Sequence, residues 1–278
     1  MIILNLCTNV IIVKIMKSNK IITGIQGFDE LIEGGLNECD SILLIGGPGT
    51  GKTIFGLQYI VNGIKYYNEA GLIVLLKNQI EEIRLKLNYF GLNLDKLINR
   101  NQLNILDVSP IITLMENGNY KIKIKNESDT LIGDKDFNIR EIISSIHLKR
   151  RKIEFKRVLI DSLMPLLLKY DDSFLFMTEF ELLLKSLKKA NMTSLILTEN
   201  SFNNDNLKIA THLVDGVIKL TLSRYGNTKI RYLDIIKMSN LGHILATKLF
   251  DISELGIKIL SDKKISLNES IETLDLKV

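Results

Sequence analysis

A glycine-rich segment constrains the fold of this chain more than any other feature of the sequence. The segment consists of Gly46, Gly47, Pro48, Gly49, Thr50, Gly51, Lys52 and Thr53, which together match the pattern GxxxxGK(S/T). An apolar run at residues 41–45 precedes it, and residues 53–65 carry apolar side chains three and four positions apart. This order predicts a buried strand, a tight loop and a helix, and therefore an α/β protein built around the loop.

The same residues predict a binding site for a nucleoside triphosphate. Glycine adopts backbone conformations that other residues avoid, so consecutive N–H groups of the loop can point at phosphate oxygens. The following helix directs the positive end of its dipole at the same oxygens. Lys52 is expected to contact the β- and γ-phosphates, and the Thr53 hydroxyl is expected to bind Mg²⁺. We therefore predict that the chain binds ATP together with Mg²⁺.

A site of this kind requires a carboxylate that holds the magnesium ion. Asp161 follows the strand candidate 157–160, and a carboxylate at the end of a parallel strand lies beside the crevice where open α/β sheets bind ligands. Asp107, near the end of the strand candidate 103–108, is the alternative. The apolar run directly before Asp161 favours Asp161 as the metal ligand.

Short β-branched runs alternate with helical stretches over most of the chain, which is typical of a mainly parallel sheet flanked by helices. After about residue 219 the long helical stretches stop, and an antiparallel β extension is expected to close the sheet. Residues 115–136 are polar and are interpreted either as an excursion such as a hairpin or as a flexible surface loop. The predicted strands are 41–45, 72–76, 103–108, 157–160, 193–198, 214–220, 229–238, 243–251 and 257–260, and the predicted helices are 53–65, 81–90, 138–149 and 174–190.

Composition adds limits on the class of protein. The chain has 278 residues, of which 46% are hydrophobic, so it can bury a core without disulfides or a structural metal. A net charge of +4 does not demand a nucleic-acid partner. Cys7 and Cys39 have no metal-ligand spacing, and a cytoplasmic location is expected. The apolar residues 1–16 are interrupted by polar ones and are too short to span a bilayer, so no membrane partner is expected.

Several short segments follow one another in an order that a known family shares. They are TGIQGFDEL at 23–31, GGL at 34–36, the loop at 46–53, VLIDS at 158–162, LTE at 197–199, DGVIKL at 215–220, IKM at 236–238 and LGI at 255–257. These segments resemble the KaiC-like ATPases of the RecA/RadA superfamily, in particular the stand-alone single KaiC domains of archaea. The resemblance implies a RecA-like core that assembles as a ring, with nucleotide held between subunits. It divides the chain into an N-terminal extension at 1–17, an ATP-binding domain at 18–262 and a C-terminal tail at 263–278.

One departure from the family pattern affects the expected catalytic base. The resemblance implies a pair of glutamates after the second core strand, one of which activates the attacking water. This chain has Lys77 and Asn78 at those positions, and a lysine cannot act as the carboxylate that orients water. Glu81 and Glu82 are close in sequence, but an acidic first turn of a helix is their ordinary interpretation. No catalytic residue is therefore assigned.

A second departure lies in a late strand. The family has a lysine, one further residue and then an arginine there, and the resemblance implies that both basic groups reach the γ-phosphate of a neighbouring subunit. This chain keeps the lysine as Lys237 and has Ser239 in place of the arginine. We therefore predict that Lys237 contacts the γ-phosphate of a neighbour, that ATP binding is retained, and that hydrolysis is weak.

These features lead to a preferred function and two alternatives. The preferred function is a slow or non-hydrolysing ATP-dependent switch in signalling, which assembles as a homo-oligomer through its nucleotide interface. The first alternative is an active ATPase of the same fold that activates water with other groups. The second is an accessory factor similar to RadA paralogues that binds single-stranded DNA. The basic run 147–157, with six Lys and Arg residues, is interpreted as a solvated helix end, so nucleic acid is not the favoured partner.

Overall fold

The computed structural model describes residues 20–77, 79–114, 120–124, 138–200, 204–225, 228–239 and 247–260. The predicted N-terminal extension, the predicted C-terminal tail and the position of Asn78 lie outside the described residues. Among the residues that are described, every helix is too short or too polar to cross a membrane.

The strands of this part of the chain are numbered in chain order. They are β1 (Lys20–Ile21), β2 (Leu36–Asn37), β3 (Ser41–Gly46), β4 (Gly71–Leu75), β5 (Leu103–Asp107), β6 (Pro110–Leu114), β7 (Tyr120–Ile124), β8 (Arg157–Asp161), β9 (Thr193–Thr198), β10 (Gly216–Tyr225), β11 (Thr228–Met238), β12 (Lys248–Ser253) and β13 (Gly256–Ile259).

The helices are numbered in the same way. They are α1 (Lys52–Tyr67), α2 (Ile80–Tyr89), α3 (Leu94–Asn99), α4 (Ile139–Arg150), α5 (Met164–Lys169), α6 (Ser173–Lys189) and α7 (Asp205–Leu213), and a 3-10 turn covers Asp29–Ile32.

One large sheet organises the domain, with its strands in the order β13-β12-β11-β10-β3-β9-β8-β4-β5. From β10 to β5 every neighbouring pair in this order is parallel. The strands β3, β4, β8 and β9 are buried along their whole length, as expected for strands that helices cover on both faces. The predicted α/β class with a mainly parallel sheet is confirmed.

The two faces of the sheet carry separate cores. Along β3, Ile42 and Leu44 point into the core that α1, α2 and α3 cover, whereas Leu43 and Ile45 point into the core that α4, α6 and α7 cover. Successive side chains of a strand point to opposite faces, so a continuously apolar run is needed where both faces are buried. This requirement explains the unbroken apolar pattern that the sequence shows at residues 42–45.

The C-terminal strands form the predicted antiparallel extension. β10 pairs in parallel with β3 and antiparallel with β11, and β12 and β13 continue the antiparallel order. The register shifts between Val217 and Ile218 of β10, and the unpaired Ile236 marks a bulge in β11. Of the predicted strand 243–251, residues 243–246 lie outside the described residues, and the strand that the structure shows there is β12 (Lys248–Ser253).

Some elements were not predicted because they are too short for a periodic pattern. The helix α3 has six residues and is capped by Asn93, whose side-chain oxygen accepts a hydrogen bond from the Lys96 N–H at 2.9 Å. The helices α5 and α7 are also short, with six and nine residues. The hairpin β6–β7 agrees with the hairpin interpretation of the polar segment, most of which lies outside the described residues.

Arg157 corrects the interpretation of the basic run as solvated. Its guanidinium is fully buried and forms an ion pair with Glu69 at 2.6 Å. The same group donates hydrogen bonds to the carbonyls of Tyr59 and Ile22 at 2.9 and 2.8 Å. Because burial of a charge is favourable only with such partners, Arg157 acts as a structural link between β8, α1 and the segment before β2.

Candidate nucleotide-binding site

The carboxyl ends of the parallel strands bring the predicted site residues to one edge of the sheet. The loop at 46–53 follows β3, and Glu199 follows β9. Asp161 is the last residue of β8, and Lys77 lies two residues beyond β4. In the order β3-β9-β8-β4 these strands are neighbours, so the sheet topology assembles residues that are far apart in the sequence.

The glycines of the loop meet specific steric requirements. Gly46 lies so close to its surroundings that a Cβ atom there would come within 2.7 Å of the Thr50 hydroxyl and 2.8 Å of the Leu220 carbonyl. Gly51 has a φ of +103° directly before α1, a conformation that side chains disfavour. The Thr50 hydroxyl donates to the Gly47 carbonyl at 2.8 Å and closes the loop on itself.

Lys52 points back into the loop. Its ammonium donates to the carbonyls of Gly46 and Gly47 at 2.7 and 2.8 Å. Burial lowers the pKa of Lys52, and the nearby carboxylates of Glu199 and Asp161 oppose that effect. The loop and the first turn of α1 thus surround a fixed positive charge, which is the arrangement that binds phosphate groups.

Thr53 and Asp161 lie in direct contact. The Thr53 hydroxyl donates to a carboxylate oxygen of Asp161 at 3.1 Å. Mg²⁺ prefers oxygen ligands, and it is typically bound by one or two protein groups together with phosphate oxygens and water. The adjacent Ser162 hydroxyl is buried and has no hydrogen-bond partner among the described residues, so it is available to accept a hydrogen bond from a water bound to Mg²⁺. The residues of this corner fit a magnesium ion.

Asp107 lies much farther from the loop than Asp161. Both residues pair with Leu75, on opposite sides of β4, so Asp107 is at the outer strand β5. At about 4.8 Å per strand, β5 is roughly 19 Å from β3, whereas β8 is roughly 10 Å away. One oxygen of Asp107 accepts the N–H of Ser109 at 3.1 Å. The sheet order therefore favours Asp161 as the metal ligand.

Lys77 forms an ion pair with a residue that sequence reasoning did not assign to the site. Its ammonium lies 2.7 Å from an oxygen of Glu199. The hydrogen bond from Lys77 is the main cause that lowers the pKa of Glu199. Glu199 follows an apolar strand in the same way as Asp161 does, so the strand-end rule could have identified it.

The acidic residues after Lys77 belong to the helix that follows it. Glu81 and Glu82 are in the first turn of α2, as predicted from the sequence. Glu82 lies 3.7 Å from Lys86 within the same helix. Their placement is that of an acidic helix start, which the helix dipole stabilises.

Lys237 contacts backbone carbonyls within its own chain. Its ammonium donates to the carbonyls of His212 and Val214 at 2.9 and 2.6 Å, at the end of α7. A cation at this end stabilises a helix by pairing with its last carbonyls. Ser239 lies next to this region, and its N–H donates to the Asp215 carbonyl at 2.7 Å.

The antiparallel extension also reaches the loop. Gln58 of α1 accepts the N–H of Ile257 at 2.7 Å and donates to its carbonyl at 3.3 Å, so β13 is fixed to α1. Arg231 of β11 donates to the Gly49 carbonyl at 3.4 Å. These two contacts hold the extension beside the loop and were not predicted from the sequence.

The basic run lies at the opposite edge of the sheet. His147 and Arg150 are in the last turn of α4, which leads into the amino end of β8. They line an open cleft together with Arg151 and Glu154. The cleft is therefore separated from the loop by the length of β8.

Comparison with known proteins decides the family. Residues 21–264 match the KaiC ATPase family. The chain belongs to the KaiC ATPase family. Membership supports nucleotide binding, generally with Mg²⁺, as the function of the loop and its surroundings.

Relatives of two kinds match the chain. The circadian clock oscillator protein KaiC of Nostoc sp. is 28% identical over 92% of this chain, which covers 49% of that protein. The chain thus spans about half the length of the clock proteins it matches. The protein MJ1359 of Methanocaldococcus jannaschii is 30% identical over 88% of this chain and 98% of that protein.

A solved structure has the same fold. The crystal structure of the KaiC-like protein PH0186 from Pyrococcus horikoshii superposes with a TM-score of 0.71 and 27% sequence identity. The match covers 88% of this chain and 100% of that one. The expected KaiC-like fold of RecA type is thereby confirmed.

Proposed function

We propose that this protein is an ATP-binding regulatory switch that hydrolyses its nucleotide slowly or not at all. The observation that carries the proposal is the Lys77–Glu199 ion pair at 2.7 Å. It places an ammonium group at the position where the family resemblance implies the carboxylate that activates water. Binding depends on the loop amides, on Lys52 and on the metal ligands, all of which the chain retains.

The chemistry explains why binding and hydrolysis separate. A general base must accept a proton from the attacking water, and a protonated lysine has no site to accept it. Ser239 supplies no positive charge for the γ-phosphate, and a trans-acting arginine contributes on the order of 10³-fold or more to phosphoryl transfer. Bound ATP would then persist, and its presence rather than its hydrolysis would be the signal.

Assembly is the second part of the proposal. We expect a cytoplasmic homo-oligomer, of the ring type that the resemblance implies, with ATP at the subunit interface and Lys237 reaching a neighbour's γ-phosphate. Lys237 would have to release the α7 carbonyls that it now contacts. A nucleotide-dependent exchange of these partners is a means by which ATP could control assembly.

Binding and turnover measured on one preparation test the proposal. Isothermal titration with ATP and Mg²⁺ should show binding, and phosphate release should be no faster than in a Lys52→Ala variant, in which binding is lost. Lys65→Ala is the matched control, because Lys65 lies at the other end of α1 and donates to the Phe90 carbonyl at 2.8 Å. Turnover far above the Lys52→Ala background would contradict the switch.

An active ATPase is the second candidate, and Glu199 is the observation that favours it. This carboxylate follows β9 and acts electrostatically on Lys52, so it is close to the phosphate site. Its lowered pKa makes it a weak base. If Glu199 activates water, Glu199→Gln should reduce turnover about 10²-fold or more, whereas Glu181→Gln on the surface of α6 should not.

A further inference from the structure

We propose that Lys77 is a γ-phosphate ligand within its own subunit, that this contact sets the preference of the site for ATP over ADP, and that Glu199 is the partner of Lys77 only until a γ-phosphate replaces it. The inference rests on the proposed nucleotide binding and adds a specificity-determining residue to it. Lys77 cannot act as the catalytic base that the family resemblance implies at its position, and the inference gives it a role in binding instead.

The geometry places the Lys77 ammonium over the metal-binding corner. Lys77 follows β4 and Glu199 follows β9, and β8 lies between these two strands. With about 4.8 Å between neighbouring strands, β4 and β9 are roughly 10 Å apart. An ion pair of 2.7 Å therefore bridges across the end of β8, where Asp161 contacts Thr53. At this point the Lys77 ammonium lies beside the oxygens proposed to hold the metal, and therefore beside the expected position of the γ-phosphate.

The electrostatics of the corner support this placement. Lys52 interacts with Lys77 as well as with Glu199 and Asp161, and the repulsion by Lys77 contributes to the lowered pKa of Lys52. Lys52 therefore lies within electrostatic reach of the other three charged groups. The charges of two ammonium groups and two carboxylates cancel. A bound phosphate group adds negative charge and competes with the carboxylates for the ammonium groups.

The ion pair is open enough for a phosphate oxygen to compete for Lys77. The side chains of Lys77 and Glu199 are 53% and 34% exposed. Exposed ion pairs are held weakly, and a γ-phosphate carries more negative charge than one carboxylate, so it can replace Glu199 as the partner of the ammonium group. ADP has no γ-phosphate, so a contact made to that group alone distinguishes ATP from ADP.

A substitution of Lys77 tests the inference. The affinities of the full chain for ATP and for ADP, each with Mg²⁺, are measured by isothermal titration. Lys77→Met should weaken ATP binding about tenfold and change ADP binding less than about twofold. Lys77→Arg keeps the positive charge and should retain most of the preference for ATP.

The ion pair between Lys185 and Glu181 provides matched controls. It has the same length of 2.7 Å, and its side chains are 64% and 46% exposed on α6. Lys185→Met and Glu181→Gln should leave both affinities unchanged. Glu199→Gln frees Lys77 and removes a negative charge from the site, so it should strengthen ATP binding several-fold and strengthen ADP binding less.

The outcomes separate this inference from the proposed function. If wild-type protein binds ATP in a Lys52-dependent manner and Lys77→Met keeps the wild-type ATP-to-ADP preference, the inference is wrong while nucleotide binding stands. Equal weakening of both nucleotides would also overturn it, because the effect would not depend on the γ-phosphate. If wild-type protein binds neither nucleotide, the proposed function and this inference both fail.

Discussion

Asp161 and Asp107 show at the scale of single residues how position decides a role. Both are carboxylates at the carboxyl end of a parallel strand, and the sequence alone left both as candidates for the metal. The structure places Asp161 3.1 Å from the Thr53 hydroxyl and places Asp107 two strands farther along the sheet. The same residue type at the same strand position therefore has different access to the loop.

A substitution of each aspartate tests this difference. Asp161→Asn should weaken Mg²⁺-dependent ATP binding about tenfold or more, because a neutral amide is a poorer ligand for a hard cation. Asp107→Asn is the matched control and should have little effect on that binding. Titration of ATP at several Mg²⁺ concentrations measures both, and the reverse order would show that β5 supplies the metal ligand.

Asp40 provides a pH-dependent test of stability at the same scale. Burial raises its pKa from 3.8 to about 6, and the nearby carboxylate of Asp215 adds to the effect. Between these pH values the folded state binds a proton that the unfolded state has released. The contribution of Asp40 to the free energy of unfolding is therefore highest below about pH 4 and falls as the pH rises through 6.

We predict that Asp40→Asn stabilises the protein at pH 7.5 by up to about 3 kcal/mol. Its amide oxygen can still accept the hydrogen bond that Asn37 donates at 3.0 Å. The gain should shrink towards pH 4.5, where Asp40 is protonated in the folded state. Urea denaturation at both pH values measures it, with Glu254→Gln at an exposed position as the control. An equal gain at both pH values would contradict the titration of Asp40.

At the scale of elements, the proposed loss of hydrolysis depends on the residues that follow β4, β9 and β11. Lys77 follows β4, and its partner Glu199 follows β9. A change of Lys77 to glutamate alone would place two carboxylates where an ion pair now lies, and one of them would take up a proton. Restored hydrolysis therefore requires that Glu199 be neutralised as well.

The substitutions that test this are made in a variant that already carries Glu199→Gln. Lys77→Glu and Ser239→Arg should each restore little turnover, and the two together should exceed the product of the single effects, because both act on one transition state. Phosphate release over a series of protein concentrations measures this, and the gain should appear only where subunits associate. Additive gains, or a gain in a variant that also carries Lys52→Ala, would contradict it.

At the scale of the whole molecule, the phosphate loop is joined to the C-terminal extension. Gln58 fixes β13 to α1, and Arg231 of β11 contacts the Gly49 carbonyl. A nucleotide bound by the loop would therefore also act on β11 and on β13, which is the edge strand on this side of the sheet. In the proposed function, this connection is the route by which bound ATP would act on assembly.

We predict that ATP with Mg²⁺ increases the molar mass of the protein in solution. Light scattering coupled to size-exclusion chromatography should show a larger species with ATP than without nucleotide, and Lys52→Ala should remove the increase. Lys65→Ala should behave like the wild type. A mass that is independent of nucleotide in the wild type would separate assembly from ATP binding and contradict this part of the proposal.

Much of the fold follows from local patterns in the sequence. The loop at 46–53, the buried strands and the long helices each depend on residues within a few positions of one another, so the sequence predicts them. The short helices α3 and α5 were missed because six residues are too few to show a helical period. Arg157 was misinterpreted for a related reason, since its partner Glu69 lies 88 positions away.

The sequence by itself determined the phosphate loop and the mainly parallel sheet, because each depends on the order of neighbouring residues along the chain. Only the tertiary structure decided that Lys77 pairs with Glu199, 122 positions away, and that Lys237 contacts the end of α7. The physical reason is that these contacts depend on which strands become neighbours in the sheet. Strand order is fixed by how the helices cross over and pack, and those long-range interactions leave no periodic signal in the sequence.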